Sequence, residues 1–214
     1  MRGFFITLEG GEACGKTTQA ELLGGTLRSE TKREVVVSRS PGGVPVAEKI
    51  RNILKEKTDG FPLVPEAELL LFAACHAQMT QELIRPAMER GAIIISDRFI
   101  DSTLVYQGYA RGLNLENIRW LNRYSTKMLL PDLTIVLDIP VSCSLRRLNS
   151  RDASCQKRDR FDSESVEFFQ KIRDGFLTCA ADNSERIAVV DASGDIQTVH
   201  QLILEKVYEK LGSI

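Results

Sequence analysis

Residues Gly10 to Thr17 read Gly-Gly-Glu-Ala-Cys-Gly-Lys-Thr, a full match to the pattern G-x-x-x-x-G-K-[ST], and they follow the short apolar run Phe4–Leu8. A loop of this kind needs a β-strand before it and an α-helix after it. Its glycines let the backbone turn tightly and aim successive N–H groups at phosphate oxygens. Lys16 would reach the β- and γ-phosphates of a bound triphosphate, and Thr17 would ligate Mg²⁺. A helix from Thr17 to about Arg28 would add the positive end of its dipole. Gly10, Gly11, Glu12, Ala13, Cys14, Gly15, Lys16, Thr17 and Thr18 are therefore candidate triphosphate-binding residues. Glu12 reads as a substrate or Mg²⁺-shell residue; Glu9 is open between such a role and solvated surface.

Four more short apolar runs follow: Glu34–Ser38, Ala92–Ser96, Leu133–Asp138 and Arg186–Val190. Each reads as a parallel strand covered on both faces. Between them lie helix-period segments. Val166, Phe169, Ile172, Phe176 and Ala180 form one apolar stripe, and Ile196, Val199, Ile203, Val207 and Leu211 form another. Pro65 with Glu66 and Glu68 reads as a helix start. The alternation predicts an α/β fold: a doubly wound five-stranded parallel sheet flanked by helices, in one domain over residues 1–214. In such sheets ligands sit at the carboxyl ends of the strands.

The formal net charge of -1 gives no reason to expect a nucleic-acid or membrane-surface binder. Anionic ligands must then be held by local arginines and lysines. The five cysteines show no C-x-x-C spacing, which argues against a disulfide framework or structural zinc and for a reducing compartment. The first residues run straight into the glycine loop, leaving no room for a signal peptide. No apolar stretch reaches the roughly 18 residues of a membrane span. A soluble, cytoplasmic chain is expected.

Ser96-Asp97-Arg98-Phe99 puts an acid and a base at the end of a buried strand. An Asp there can hold the water shell of Mg²⁺, and the adjacent Arg can bind phosphate with its planar fork. The alternative is a structural ion pair. Asp101-Ser-Thr103-Leu-Val-Tyr106-Gln107-Gly108 then gathers hydroxyl, amide and ring groups suited to a base and a sugar. On the helix after Pro65, Phe72 and His76 lie four apart and share a face with Leu69, Met79 and Leu83. From spacing alone both residues remain open between core and ligand platform. Residues 146–162 carry six cations in 17 positions. In isolation such a run reads as a solvated loop. Beside a phosphate loop that contains no arginine, it reads as a closing flap whose cations stabilise a transferring phosphoryl group.

The series Glu9-Gly-Gly-Glu12…Gly15-Lys-Thr-Thr18-Gln19, Arg39…Pro41-Gly-Gly43, Glu68-Leu-Leu-Leu-Phe72…Ala77-Gln78, Asp97-Arg98-Phe99…Tyr106-Gln107-Gly108, Pro131-Asp-Leu-Thr and Asp159-Arg160-Phe-Asp162 closely resembles bacterial thymidylate kinases. The resemblance implies a P-loop fold of the nucleoside-monophosphate-kinase type with a mobile lid at about 146–162. It implies conversion of ATP and dTMP to ADP and dTDP with Mg²⁺, by a homodimer. By matched position, Lys16, Arg98, Arg151 and Arg160 would be catalytic, and Thr17 and Asp97 would serve the metal. Arg147 would lie against adenine. The dTMP site would comprise Glu12 on the 3′-hydroxyl, Arg39, Phe72 stacked on thymine, His76, Arg98, Thr103 and Gln107 near the base edge, and Tyr106 crowding the 2′ position.

The chain departs from the family pattern in places. Ala13 and Cys14 stand where Gly and then Ala or Ser are usual, and Ser40 stands where Glu commonly precedes Pro-Gly-Gly. Cys75-His76 replaces Asp-Arg, whose Arg addresses the base; a histidine is shorter and only partly charged near neutrality. The lid is a few residues longer between Arg151 and Arg160. His76 leaves open a kinase for another deoxynucleotide or a nucleoside. A nucleotide-dependent switch is disfavoured, because no N-K-x-D-type guanine-reading sequence is present. The helices around residues 66–84 and 115–121 are candidate dimer surfaces.

Overall fold

In the computed structural model, which describes residues 2–56, 62–152 (backbone only at 151 and 152), 160–161 and 164–212, all five apolar runs are strands. β1 (Phe4–Glu9), β2 (Val35–Arg39), β3 (Ile93–Asp97), β4 (Leu133–Asp138) and β5 (Ile187–Asp191) form one parallel sheet in the order β2-β3-β1-β4-β5. β4 has the expected bounds. β1 runs one residue further, and β2, β3 and β5 each start and end one residue later than the apolar runs. Ladder bonding continues past the last apolar side chain, and the added residues are Glu9, Arg39, Asp97 and Asp191. The register pairs Arg39 with Asp97 and Asp97 with Leu8. Polar side chains therefore line the carboxyl edge.

β1, β3 and β4 are buried along nearly their whole length. β2 and β5 are edge strands and are only partly covered, so the expectation of strands buried on both faces holds for the central three. α1 (Lys16–Glu30) and α9 (Ile196–Leu211) cover one face, packing Leu23, Leu27, Val199, Ile203 and Val207 against Ile6, Leu8, Ile93 and Ile95. On the other face, α3 (Pro65–Met79) and α4 (Arg85–Glu89) pack on Phe5 and Ile94, and α8 (Val166–Asp182) packs on Val136. Val166 and Ile196, assigned to the two apolar stripes, are exposed. Each directly follows an N-cap, Ser165 or Asp195, whose side chain bonds the first-turn N–H groups and turns that position to solvent.

The remaining helices are α2 (Pro45–Lys55), α5 (Ile100–Thr103), α6 (Leu115–Ser125) and α7 (Val141–Asp152). Two π-helical stretches interrupt the regular pattern: Thr80–Ile84 joins α3 to α4, and Leu104–Ala110 extends α5. Such wide turns re-aim side chains and recur at functional sites. The second carries Tyr106 and Gln107.

Candidate active site

The turn from β1 into α1 is built for an anion. Gly10 has φ +135°, and a Cβ there would fall 2.6 Å from the Leu137 carbonyl oxygen, so no side chain fits. Gly15 caps α1 with φ +101°; it offers no side-chain bond, and the first turn holds no acid. α6, α8 and α9 are instead capped by Asn114, Ser165 and Asp195. The first N–H groups of α1 thus keep their bonding capacity and their dipole for a ligand. Lys16 folds back over the loop and donates to the carbonyls of Gly11 (2.6 Å) and Gly10 (3.2 Å) and to Cys14 Sγ (3.3 Å). Thr18 lies exposed in the same first turn.

Ala13 adopts φ +55°, a left-handed conformation that costs a residue with a Cβ about 1 kcal/mol. Ala13→Gly is therefore expected to stabilise the chain by about 0.5–1 kcal/mol, seen as a higher urea midpoint at unchanged m-value. An equal or lower midpoint would show that the loop carries no such strain.

At the carboxyl end of β3, Asp97 Oδ2 accepts a 2.5 Å hydrogen bond from Thr17 Oγ1. A hydroxyl and a carboxylate oxygen beside a phosphate loop are the hard donors Mg²⁺ prefers. Among the described residues no cluster of three or more His, Cys, Asp or Glu side chains could hold a metal. Mg²⁺ held here would be completed by nucleotide phosphates and water, its usual arrangement in kinases.

Arg98 joins the phosphate loop to the rest of the cleft. Its backbone has φ +71° and is fixed by a bond from its N–H to the Leu8 carbonyl (3.0 Å) and by one from Ser96 Oγ to its own carbonyl (2.7 Å). The guanidinium donates to the Gly10 carbonyl (3.0 Å), Ser102 Oγ (3.0 Å) and Glu12 Oε1 (2.9 Å), and lies 4.9 Å from the centre of the Tyr106 ring. Tyr106 Oη also donates to Glu12 Oε1, at 2.6 Å. Burial alone would raise the Glu12 carboxyl, but Arg98, Lys16 and the two hydrogen bonds outweigh it and bring its pKa down to about 2. It is a fixed anion and an acceptor.

Glu9 is 0% exposed, so it is not solvated surface. It accepts from the Phe99 N–H (2.7 Å) and Ser102 Oγ (2.5 Å), bracing the turn that presents Arg98. Burial and the nearby Asp101 push its pKa upward.

A cleft with about 860 Å³ of empty space, counting its open mouth, extends from Thr17, Glu12 and Arg98. Arg39, Phe72, His76, Tyr106 and Gln107 all line it. Thr103 does not; it is buried, and Ser102 faces the cleft instead. Ser40, Pro41, Arg51, Lys55, Phe99 and Phe161 also line it, and the sequence reading had given none of these side chains a part in the site. Arg39 is paired with Glu48 through two bonds of 3.0 and 3.1 Å. Arg51 donates to the Pro41 carbonyl at 2.6 Å; its spacing of four from Lys55 was the signal that could have found it.

His76 is 1% exposed, with its ring centre 5.0 Å from that of Phe99 and its Nδ1 without a partner among the described residues. Burial lowers its pKa to about 3, against a small opposing effect of Asp101. It is neutral, not partly charged as the sequence suggested. Below the unfolded pKa of about 6.5 the unfolded chain takes up a proton that the folded chain refuses, so stability falls with pH at about 1.4 kcal/mol per unit. Between pH 7 and pH 5 the loss attributable to His76 is expected to be about 2 kcal/mol. Denaturant titrations at both pH values check it: His76→Gln should lose that much less than the parent, and equal losses would exclude the effect.

Near the same cleft, Glu68 is 1% exposed yet charged on every side: it pairs with Arg160 and Arg111 and accepts from Gln107 Nε2 at 2.6 Å. Arg160 also donates to the Leu54 carbonyl (3.2 Å) and lies 4.5 Å from the Phe161 ring centre. Its guanidinium is thus engaged on the α2–α3 side. Arg147 donates to the carbonyls of Ala13 (3.4 Å) and Ala192 (3.1 Å), between the phosphate loop and the loop after β5. The Arg151 side chain and residues 153–159, within the segment expected to form a lid, lie outside the described residues.

A sequence profile of the family "Thymidylate kinase" matches residues 8–203. The chain is 46% identical to a thymidylate kinase of Citrifermentans bemidjiense, over 99% of this chain and 94% of that one. It is 41% identical to that of Caldanaerobacter subterraneus, over 99% and 98% of the two chains. The chain belongs to the thymidylate kinase family. The crystal structure of a thymidylate kinase from Ehrlichia chaffeensis superposes on this family member with a TM-score of 0.77 at 31% identity, covering 97% of this chain and 99% of the other. In this member, no described helix is long and apolar enough to cross a membrane, and Cys14, Cys75, Cys143 and Cys179 are free and buried.

Proposed function

We propose that the chain transfers the γ-phosphate of ATP to dTMP, giving ADP and dTDP. The observation that carries this is the Arg98 guanidinium, which touches both the Gly10 carbonyl of the phosphate loop and Glu12, the hydrogen-bond partner of Tyr106. One cation thereby joins a triphosphate-binding turn to a pocket with aromatic and amide walls.

The acceptor is already an ionised phosphate and needs no general base. Catalysis comes from alignment of donor and acceptor and from neutralisation of the transferring group. Lys16 and Arg98, both bonded to the Gly10 carbonyl, supply charge beside the loop, with Arg151 and Arg160 as further cations; Arg160 would first exchange Glu68 and the Leu54 carbonyl for a phosphate. Thr17 and Asp97 would hold Mg²⁺, which when bound neutralises phosphate oxygens. Glu12 accepts from the sugar 3′-hydroxyl, Phe72 stacks on the base, and Arg39 belongs to the acceptor side. Arg147 flanks the adenine. Trp120 and Tyr124 stack at 5.4 Å on exposed α6, and Leu70 on α3 and Met128 are also exposed; these faces support a homodimer. The free cysteines support a cytoplasmic setting.

Initial rates of ADP formation with dTMP, dUMP, dCMP and thymidine test the reading. The best rate is expected with dTMP; ADP formation that no acceptor accelerates would refute it. Tyr106 stands against Glu12 where a sugar would lie, so Tyr106→Ala should raise the use of ribo-TMP relative to dTMP by about 10-fold, the size of a modest pocket contact. An unchanged ratio would refute the steric gate.

A further inference from the structure

Three polar atoms of buried, cleft-lining residues have no hydrogen-bond partner among the described residues: Ser40 Oγ, His76 Nδ1 and Gln107 Oε1. Buried polar atoms are rarely left unsatisfied, so such atoms facing a cleft mark where a ligand completes the bonding. The three are not equivalent. A serine hydroxyl rotates to donate or accept, and a neutral imidazole carries one donor and one acceptor that exchange with its tautomer. Neither distinguishes a carbonyl from an amino group.

Gln107 is different. Its Nε2 donates to Glu68 Oε1 at 2.6 Å, and because a carboxylate only accepts, the amide cannot flip. Glu68 is itself immobilised by Arg111 and Arg160, and Arg111 is held in turn by Glu164 at 2.6 Å. Gln107 Oε1 is left as an acceptor of fixed polarity.

Taking dTMP as the acceptor, on which this rests, we propose that Glu68, acting through Gln107, is the positioning residue that sets base specificity. It selects a 4-oxo pyrimidine, whose N3–H the fixed acceptor receives, and rejects a 4-amino pyrimidine, whose N3 is itself an acceptor. His76 and Ser40 adapt to either exocyclic group, so the polarity of the ring edge is read by the Glu68–Gln107 pair.

The comparison of dUMP with dCMP isolates this edge, and dTMP serves as the activity control. The wild-type chain is expected to favour dUMP over dCMP in kcat/KM by at least about 10²-fold, as for sites that leave a buried polar group unpaired with the wrong substrate. Glu68→Gln frees the Gln107 amide to turn and should narrow that ratio by at least about 10-fold, through KM for the nucleotide more than through kcat. Gln107→Leu leaves both arginines paired with Glu68 and should narrow it likewise. A purely structural role for Glu68 would lower both rates together and leave the ratio unmoved. If Glu68→Gln does not fold, Glu68→Asp, one methylene short of Gln107 but still a partner for the arginines, is read in the same way. An unchanged ratio in a folded Glu68 variant, or equal wild-type use of dUMP and dCMP, overturns the proposal while activity on dTMP leaves the proposed function intact. A wild-type chain inactive on dTMP removes that function and this inference with it.

Discussion

Arg98→Ala is expected to lower kcat/KM for the acceptor nucleotide by at least about 10²-fold, the size seen when one charge-stabilising donor is removed. The guanidinium makes three hydrogen bonds, to Gly10, Ser102 and Glu12, and burial does not lower its pKa, because Glu12 and its other anionic neighbours hold it well above the usual value. It is therefore always charged. Its loss leaves Glu12 with Lys16 as its remaining cation and removes positive charge from beside the phosphate loop. Because that charge matters most when negative charge spreads over the transferring group, the loss should appear mainly in kcat. The left-handed backbone at Arg98 is fixed by its neighbours' bonds, so the variant keeps the turn. Steady-state kinetics with dTMP varied at saturating ATP make the measurement, and unchanged kinetics would reject the role.

Glu68→Ala is expected to destabilise the chain by about 3 kcal/mol, near the low end for removing one partner of a buried ion pair. Glu68 is almost fully enclosed, whereas the side chains of Arg111 and Arg160 retain 18% exposure and have second acceptors in Glu164 and the Leu54 carbonyl. Those second partners keep the cost from being larger. Chemical denaturation at pH 7 measures it. A loss below about 1 kcal/mol, the value of an exposed pair, would show that the arginines do not depend on this carboxylate.

The parts of the site that could be read from the chain are those in which spacing and chemistry are one thing. Gly10 to Thr17 must be contiguous to wrap a phosphate, and Asp97-Arg98 sits where an apolar run ends. Glu68 was not legible. At the start of a helix an acid is adequately explained by the helix dipole, and its cationic partners lie 43 and 92 residues away. Glu9 was equally opaque, since Ser102, which converts it from surface to brace, is 93 positions distant. Thr103 was assigned to the cleft by matched position, and position along the chain does not show which of two neighbouring hydroxyls on α5 faces inward; Thr103 is buried and Ser102 lines the cleft. The neutrality of His76 depends on enclosure beside Phe99, a tertiary fact. In the sheet, the shifted strand ends have a simpler cause: apolar runs report where side chains are buried, and the ladder does not stop there.

Lys16 bears on how readily a nucleotide enters. With its ammonium bonded to the carbonyls of Gly10 and Gly11, the loop has a resident cation that takes up, from within, part of the space between its own dipoles. An ammonium has three donors, so two can stay on these carbonyls while the third, set on Cys14 Sγ, trades a weak acceptor for a phosphate oxygen. The same side chain thus braces the loop's curve and reaches for the anion, and the carbonyl bonds need not be given up for the phosphate. A ligand need only offer that lysine a better acceptor than a thiol sulfur to engage it.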